Sequence, residues 1–289
     1  MKKFLAASAL LLIAAAASFS QDVSFKFLSG WAGIGGGDYN KGIQGIMDLA
    51  RSGGGSSSGA FEPLNGGMTF QLEIITHWGR RIAMGFGIGY YKTGRDGRFQ
   101  VQGGTPFSMD SVFGPRLSVI PIFINAYYKV PLPAGIAFDV FAGPVFQVVQ
   151  FNFNRVTSTM DAPVTIGNRW ESESFRTAGP SLGIQAGIDL SYELVRGIRI
   201  IAQGQYRAAK VSDLLGNWVL NVLTPAGEWN SNSSAEYYLW AYDVTGNGKY
   251  PVLGFFDKNG PSGSGISNAR KASIGLSGLS ALIGIRIDL

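Results

Sequence analysis

The sequence predicts an all-β protein: a transmembrane antiparallel up-and-down β-barrel, most simply of eight strands, with long loops on one side. Three observations lead there. Apolar residues alternate with polar or very small ones at a period of two, over segments of about ten residues, the length at which a tilted strand crosses a bilayer. The connections between these segments alternate between long and short. The polar faces are mostly Gly, Ala, Ser, Thr and Gln with a few charges of both signs. A soluble barrel would instead turn a charge-rich face to water.

The chain opens with Lys2 and Lys3, a run from Phe4 to Ala17 that is apolar except for Ser8, and small residues at Ser18 and Ser20. That is the layout of a secretory signal peptide over residues 1–20, cut before Gln21, and it is too short for a membrane helix. The remainder, residues 21–289, reads as one barrel domain. Loss of Lys2 and Lys3 lowers the formal net charge from +5 to +3, too mild a balance to suggest nucleic acid. With no cysteine in the chain, neither a lipid-anchored N-terminus nor a disulfide framework is expected. The chain holds 41 glycines, and many sit inside strand patterns, where small residues are expected only if space is tight.

The clearest stretch is Met68 to Tyr91. Met68, Phe70, Leu72, Ile74, Thr76 and Trp78 share one face, against Thr69, Gln71, Glu73, Ile75 and His77. After Gly79-Arg80-Arg81, a solvated turn, Ile82, Met84, Phe86, Ile88 and Tyr90 oppose Ala83, Gly85, Gly87, Gly89 and Tyr91. This is a hairpin forming the second and third strands. The first is Val23 to Gly35, with Ser24 and Lys26 on its polar face. The fourth, Arg116 to Val130, sets Ile120, Ile122, Ile124 and Tyr128 against Phe123, Asn125 and Tyr127. The fifth, Ile136 to about Phe151, turns Asp139 and Phe141 inward. The sixth and seventh, Ser181 to Tyr192 and Ile198 to Arg207, turn in Gln185, Asp189, Arg199, Gln203 and Arg207. The eighth is Lys271 to Leu289, with a bulge expected near Gly278 to reconcile two apparent phases.

Between these strands, residues 36–66, 93–115, 152–177 and 208–270 read as long extracellular loops. The first holds a short helix-like patch (Ile43, Ile46, Met47, Ala50) and a low-complexity run, Ser52 to Gly59, expected to be mobile. The 208–270 insert is aromatic-rich at Trp218–Leu223 and Tyr237–Tyr242, so it either extends the barrel or forms a binding patch. If it added two strands, a ten-stranded porin would follow. Gly114-Pro115, Gly143-Pro144 and Gly179-Pro180 are expected at strand ends, where a missing N–H is harmless.

Outward Ile, Leu, Phe and Met suit lipid, and Trp78, Tyr128 and Tyr192 suit an interfacial aromatic girdle. Inward charges must pair, so Glu73, Asp139 and Asp189 are expected to meet Arg199, Arg207 and Arg286 as a structural network in a plugged lumen. His77, the one histidine, has Glu73 on its face but lies at a strand end beside Trp78, and reads as structural. Asp243-Val-Thr-Gly-Asn-Gly248 looks like half a calcium loop, yet Gly254 stands where the bidentate Glu belongs, so a turn is expected. Gly33 to Gly37 lacks the βαβ context of a dinucleotide fingerprint. No catalytic residue, cofactor or metal is expected.

The signal peptide, alternating strands, short turns and Ile283-Gly-Ile-Arg-Ile-Asp-Leu289 ending resemble the small outer-membrane β-barrel proteins of Gram-negative bacteria, the OmpA/OmpX-like barrel domain, over Val23 to Leu289. Members usually end in an aromatic residue; here Leu289 stands last. The resemblance implies an exported, monomeric outer-membrane protein in contact with lipid and lipopolysaccharide, inserted by the barrel-assembly machinery. Loops presented by a rigid scaffold commonly carry function, so a non-enzymatic role is expected in which surface loops serve adhesion, ligand contact or surface structure. A small solute channel and a lipid-modifying enzyme are the alternatives.

Overall fold

The computed structural model describes residues 22–52, 56–60, 62–102, 108–133, 135–160, 169–244, 248–257 and 259–289. The expected signal peptide lies outside them. In chain order the elements are β1 (Val23–Gly33), α1 (Asp38–Ser52), β2 (Ser56–Ala60), β3 (Gly66–Trp78), β4 (Ile82–Gly94), β5 (Gly97–Gln102), β6 (Ser108–Phe113), β7 (Arg116–Pro131), β8 (Ile136–Met160), β9 (Arg169–Val195), β10 (Ile198–Val211), β11 (Leu215–Thr224), β12 (Gly227–Val244), β13 (Gly248–Phe256), β14 (Ile266–Lys271), β15 (Ile274–Gly275) and β16 (Gly278–Asp288). No helix among the described residues is long and apolar enough to cross a membrane.

All pairings are antiparallel. β1 pairs β3, then β4, β7, β8, β9, β10 and β16 follow in turn, and β16 pairs back with β1. The hydrogen-bond ladder therefore closes on itself. β8 and β9 run on past this ring, paired with each other as far as Thr159 opposite Arg169. Their outer halves carry two flanks: β11, β12, β13 and β14 beyond β9, and β6, β5 and β2 beyond β8. Helix α1 packs on β13, its Tyr39, Ile43 and Met47 buried in the core between the flanks.

Several expectations are corrected. The sheet has sixteen strands, not eight, because the segments read as loops are largely strand. Residues 152–160 and 169–177 extend β8 and β9, residues 97–102 and 108–113 form a hairpin arm, and the insert contributes β11 to β14. None of the insert's strands enters between β10 and β16, which pair directly from Ile198 to Arg207. In the low-complexity run, Ser56 to Gly59 belong to β2, held against β5. No bulge forms near Gly278: Lys210 faces Gly275 and Arg207 faces Gly278 in one unbroken register. Ile274 and Leu276 point inward like Ser280, Leu282 and Arg286. The phase is constant; the chemistry of the interior changes.

Two of the three Gly-Pro pairs also lie inside strands rather than at ends. Pro144 faces Ile184 of β9, while the β7–β8 pairing is interrupted between Phe123–Val145 and Ala126–Ala142. The β4–β7 pairing skips the residues beside Pro121 in the same way. Each proline thus sits where one neighbour's ladder is already open, so its missing N–H leaves few groups unpaired.

The same inversion occurs along several strands. On the exterior of β8, Ile136, Val140 and Phe146 give way to Gln150 and Asn154; on its interior, Asp139 gives way to Val149, Phe151 and Phe153. β7 runs from exterior Tyr128, Ile124 and Ile120 to Ser118 and Arg116, and from interior Asn125 to Val119 and Leu117. At one end the cylinder is apolar outside and polar inside. At the other it is polar outside and filled by an aromatic core.

That core is tied to the helix through Asp38. Its carboxylate accepts from Arg270 (2.6 and 2.7 Å) and from the Ser273 N–H (2.9 Å) and hydroxyl (3.0 Å). Burial alone would raise the Asp38 pKa, but these donors outweigh it and hold it below its usual value. A lowered folded-state pKa stabilises above the unfolded value and is lost as pH falls through the folded one. Asp38→Asn should therefore cost about 1 kcal/mol at neutral pH, a modest figure because Arg270 is half exposed. The difference from the parent protein should persist down to about pH 4 and fade only as pH falls further, through the lower folded-state value, measured by urea titration of the folded protein across pH.

Candidate functional site

The polar end of the cylinder is braced across its width. Lys26 on β1 is buried, and its ammonium lies 2.8 Å from Glu73 on β3 and 2.9 Å from Asp189 on β9. It also donates to Tyr127 (2.7 Å) and Gln203 (3.0 Å), and lies over the rings of Tyr127 and Phe141. Tyr127 in turn donates to Glu73 at 2.7 Å. Asn125 donates to Glu73 (2.9 Å) and accepts from Gln185 (3.0 Å). Lys26 and Glu73 are register partners, but Lys26 to Asp189 spans the interior.

A second layer sits nearer the short turns. Arg286 on β16 reaches across to Asp139 on β8 (3.0 Å) and along its own strand to Asp288 (3.1 Å). Arg199 joins Asp288 (3.2 Å) and Glu193 (2.9 Å). Of the six charges singled out in the sequence, Asp139 and Arg286 pair with each other. Glu73 and Asp189 share Lys26 instead of an arginine, and Arg199 pairs with Asp288 and Glu193. Arg207 meets no carboxylate among the described residues and only touches Gln185 at 3.5 Å. Lys26 was visible as an inward residue of the first strand. Its central place was not, because the pairing order of distant strands decides it.

His77 shows serine and acid neighbours in an order that does not suit nucleophilic catalysis. Its Nε2 is 2.6 Å from the Ser24 hydroxyl, which donates to Asp288 at 2.6 Å. In a catalytic triad the imidazole takes the serine proton and the acid holds the other ring nitrogen. Here the acid holds the serine, Nδ1 has no partner, and Ser24 is fully buried. Among the described residues no three His, Cys, Asp or Glu side chains gather as a metal-ligand set. Of the calcium-like segment, residues 245–247 lie outside the described residues; Asp243 faces and pairs with Lys249 across the β12–β13 hairpin.

At the opposite end, a cleft of about 250 Å³ opens between α1, β8, β12 and β13. Phe153, Tyr237, Trp240, Phe255 and Phe256 line it, and Arg155 and Glu173 stand at its polar edge. Tyr237 stacks on Phe255 (4.8 Å), which stacks on Phe175 (4.4 Å). Glu173 pairs with Arg155 (3.0 Å) and accepts from the Trp218 indole (2.8 Å), while Arg155 Nε remains without a partner. Burial first, then the nearby Tyr39 and Glu173, hold the Tyr237 hydroxyl well above its usual pKa, so it stays neutral. Chemically the cleft offers ring-sized apolar walls and one unused donor. Of the two aromatic segments seen in the insert, Tyr237–Tyr242 lines the cleft, and Trp218 meets it only through its bond to Glu173; the contributions of α1 and β8 carried no sequence signal beyond apolar spacing.

No family model matches the chain, and no curated protein does. Among solved structures it is similar to a major outer membrane protein from Thermus thermophilus, at 14% identity over 94% of this chain and 100% of that one, with a TM-score of 0.36. It is also similar to the outer membrane protease OmpT from Escherichia coli, at 11% identity over 93% and 96% of the two chains, with a TM-score of 0.28.

The Lys26 cluster yields a direct expectation. Lys26→Met strands Glu73 and Asp189 together in a buried site and should cost about 3–5 kcal/mol. Adding Glu73→Gln and Asp189→Asn to it should recover much of that loss. Urea titration in detergent micelles, read by tryptophan emission, checks both.

Proposed function

We propose that this chain is an integral outer-membrane β-barrel that crosses the bilayer with the eight strands of the closed ring, passes no solute, and acts through its structured outer extension by contact with a ligand rather than by catalysis. One observation carries this reading: the inversion of both faces along single strands. An apolar exterior over a polar interior fits lipid outside. A polar exterior over an aromatic interior fits water outside. On β9 the apolar exterior runs from Leu182 to Leu194. At about 3.3 Å per residue and a tilt of about 40° that is roughly 30 Å, the thickness of a bilayer's hydrocarbon core. Exposed Trp78, Tyr128 and Tyr192 mark its inner rim, and Trp31, Tyr90 and Tyr206 its outer rim.

The fold leaves the ring without a free edge, which favours a monomer surrounded by lipid and lipopolysaccharide and assembled by the barrel-insertion machinery. The OmpA/OmpX-like resemblance rests on the same alternation. The extension goes beyond a small barrel with simple loops. Its cleft suits a molecule with a ring-sized apolar body and an acceptor for Arg155. The channel alternative has little support, since the insert does not widen the ring and charges brace the interior from wall to wall. The enzyme alternative has none at His77.

Ile188 lies midway along the apolar exterior of β9, and Asn154 lies on the exterior of β8 beyond the belt. Ile188→Arg should cost about 2–4 kcal/mol on folding into lipid vesicles, and Asn154→Arg close to nothing. Heat-modifiable gel mobility reads the folded fraction; equal tolerance of both would remove the membrane reading. Planar bilayers with the unmodified protein should show negligible conductance. A screen of ring-containing carboxylates, read by Trp240 emission, should return binders that Arg155→Leu weakens about tenfold; no binders would remove the ligand role.

A further inference from the structure

Arg207 on β10 is buried where the polar interior gives way to the aromatic core, and its environment differs from that of every other buried charge. Lys26, Asp139, Asp189, Glu73 and Arg286 each have an opposite charge within 3.0 Å. Arg207 has none in reach among the described residues; its one hydrogen bond goes to the neutral Gln185, and its Nε is unused. A small cavity of about 10 Å³ borders it, lined also by Gln147, Tyr91 and Ser280. Gln147 is fully buried on β8 and has neither amide atom hydrogen-bonded, and the Tyr91 hydroxyl on β4 makes no hydrogen bond of normal geometry.

We propose that this cavity is a binding site for a single monatomic anion, a halide such as chloride, held by Arg207 Nε–H, the Gln147 amide N–H₂ and the Tyr91 O–H. Three side chains with unused donors, from three different strands, line one space. A buried cation without a counter-charge is strongly unfavourable, and buried polar groups are normally satisfied. Water would supply hydrogen bonds but no charge. The space is at the lower limit for one water-sized sphere, so a halide enters only if the side chains around it give slightly, and phosphate, sulfate or a carboxylate ligand is excluded. The site is enclosed by the ring and separate from the outer cleft, so it does not depend on the proposed ligand role.

The test uses the full mature chain refolded from urea into detergent micelles at constant ionic strength, with chloride exchanged for gluconate. Above the dissociation constant, each tenfold rise in chloride should raise the folded-to-unfolded ratio tenfold. Bromide should substitute, and crystals grown with bromide should show an anomalous peak beside Arg207. Arg207→Gln should abolish the chloride dependence. If that variant does not fold, Gln147→Leu, which keeps the charge but removes a donor, should shift the chloride dependence to higher concentration. A folded-to-unfolded ratio independent of chloride in the unmodified protein, or bromide-free density in the cavity, would overturn the site. Arg207 would then be balanced at a distance by the extra negative charge of the Lys26 cluster, through Gln185 and Asn125.

Discussion

Closure of the hydrogen-bond ladder is the constraint from which the rest follows. Once β16 pairs back with β1, every inward side chain of eight strands enters a space of fixed width. Nothing can be turned out to solvent without breaking the alternation that pairs the strands. The interior must therefore be solved as a packing and charge problem at each level. Near the short turns the solution is ionic, with opposite charges drawn from opposite walls. Toward the extension it is aromatic. The exterior is free to follow whatever surrounds it, and it changes character at the same height as the interior.

The two kinds of interior stabilise differently. Lys26 with Glu73 and Asp189, and Arg286 with Asp139, offset the cost of burying charge only while every partner is present. Such networks contribute less to net stability than to a unique arrangement of walls. The aromatic core contributes mainly through area removed from water. It also depends on α1, which fills the space between the two flanks that the ladder does not close. Asp38 fixes the start of that helix to Ser273 and Arg270, so helix, flank and ring are joined at one carboxylate.

Much of the ring was legible in the sequence because its surroundings impose opposite chemistry on alternate residues. Leu182 and Ile184 against Gln185 and Asp189 can be read without a structure. The extension was illegible for the same physical reason. Beyond the belt, Gln150, Asn152 and Asn154 replace apolar exterior residues, so 152–160 looks like a polar loop although Phe151 and Phe153 keep the period of two. Ile274 and Leu276 looked out of phase because an inward residue was expected to be polar. The charge network was legible in part, as the inward Glu73, Asp139, Asp189, Arg199 and Arg286, without Lys26 that joins Glu73 to Asp189. Its pairs were not, because Lys26 to Asp189 and Asp139 to Arg286 depend on which strands face each other across the cylinder. The bonds of Asp38 to residues more than 230 positions away leave no local trace at all.

The glycines on β4 are the counterpart of the crowded interior. Gly85 and Gly87 face inward between Glu73, Tyr127 and Phe123. A Cβ on Gly85 would lie 2.9 Å from the Tyr127 ring and closer still to the Glu73 carboxylate, and one on Gly87 would collide with Phe123. On β9, a Cβ on Gly187 would come within 2.6 Å of the Phe141 ring. Large side chains on β7 and β8 are thus matched by absent ones on β4 and β9. An eight-stranded ring has an interior that such a layer nearly fills. The high glycine content is what allows long, bulky groups such as Lys26, Tyr127 and Phe141 to meet near the axis and brace one wall against another.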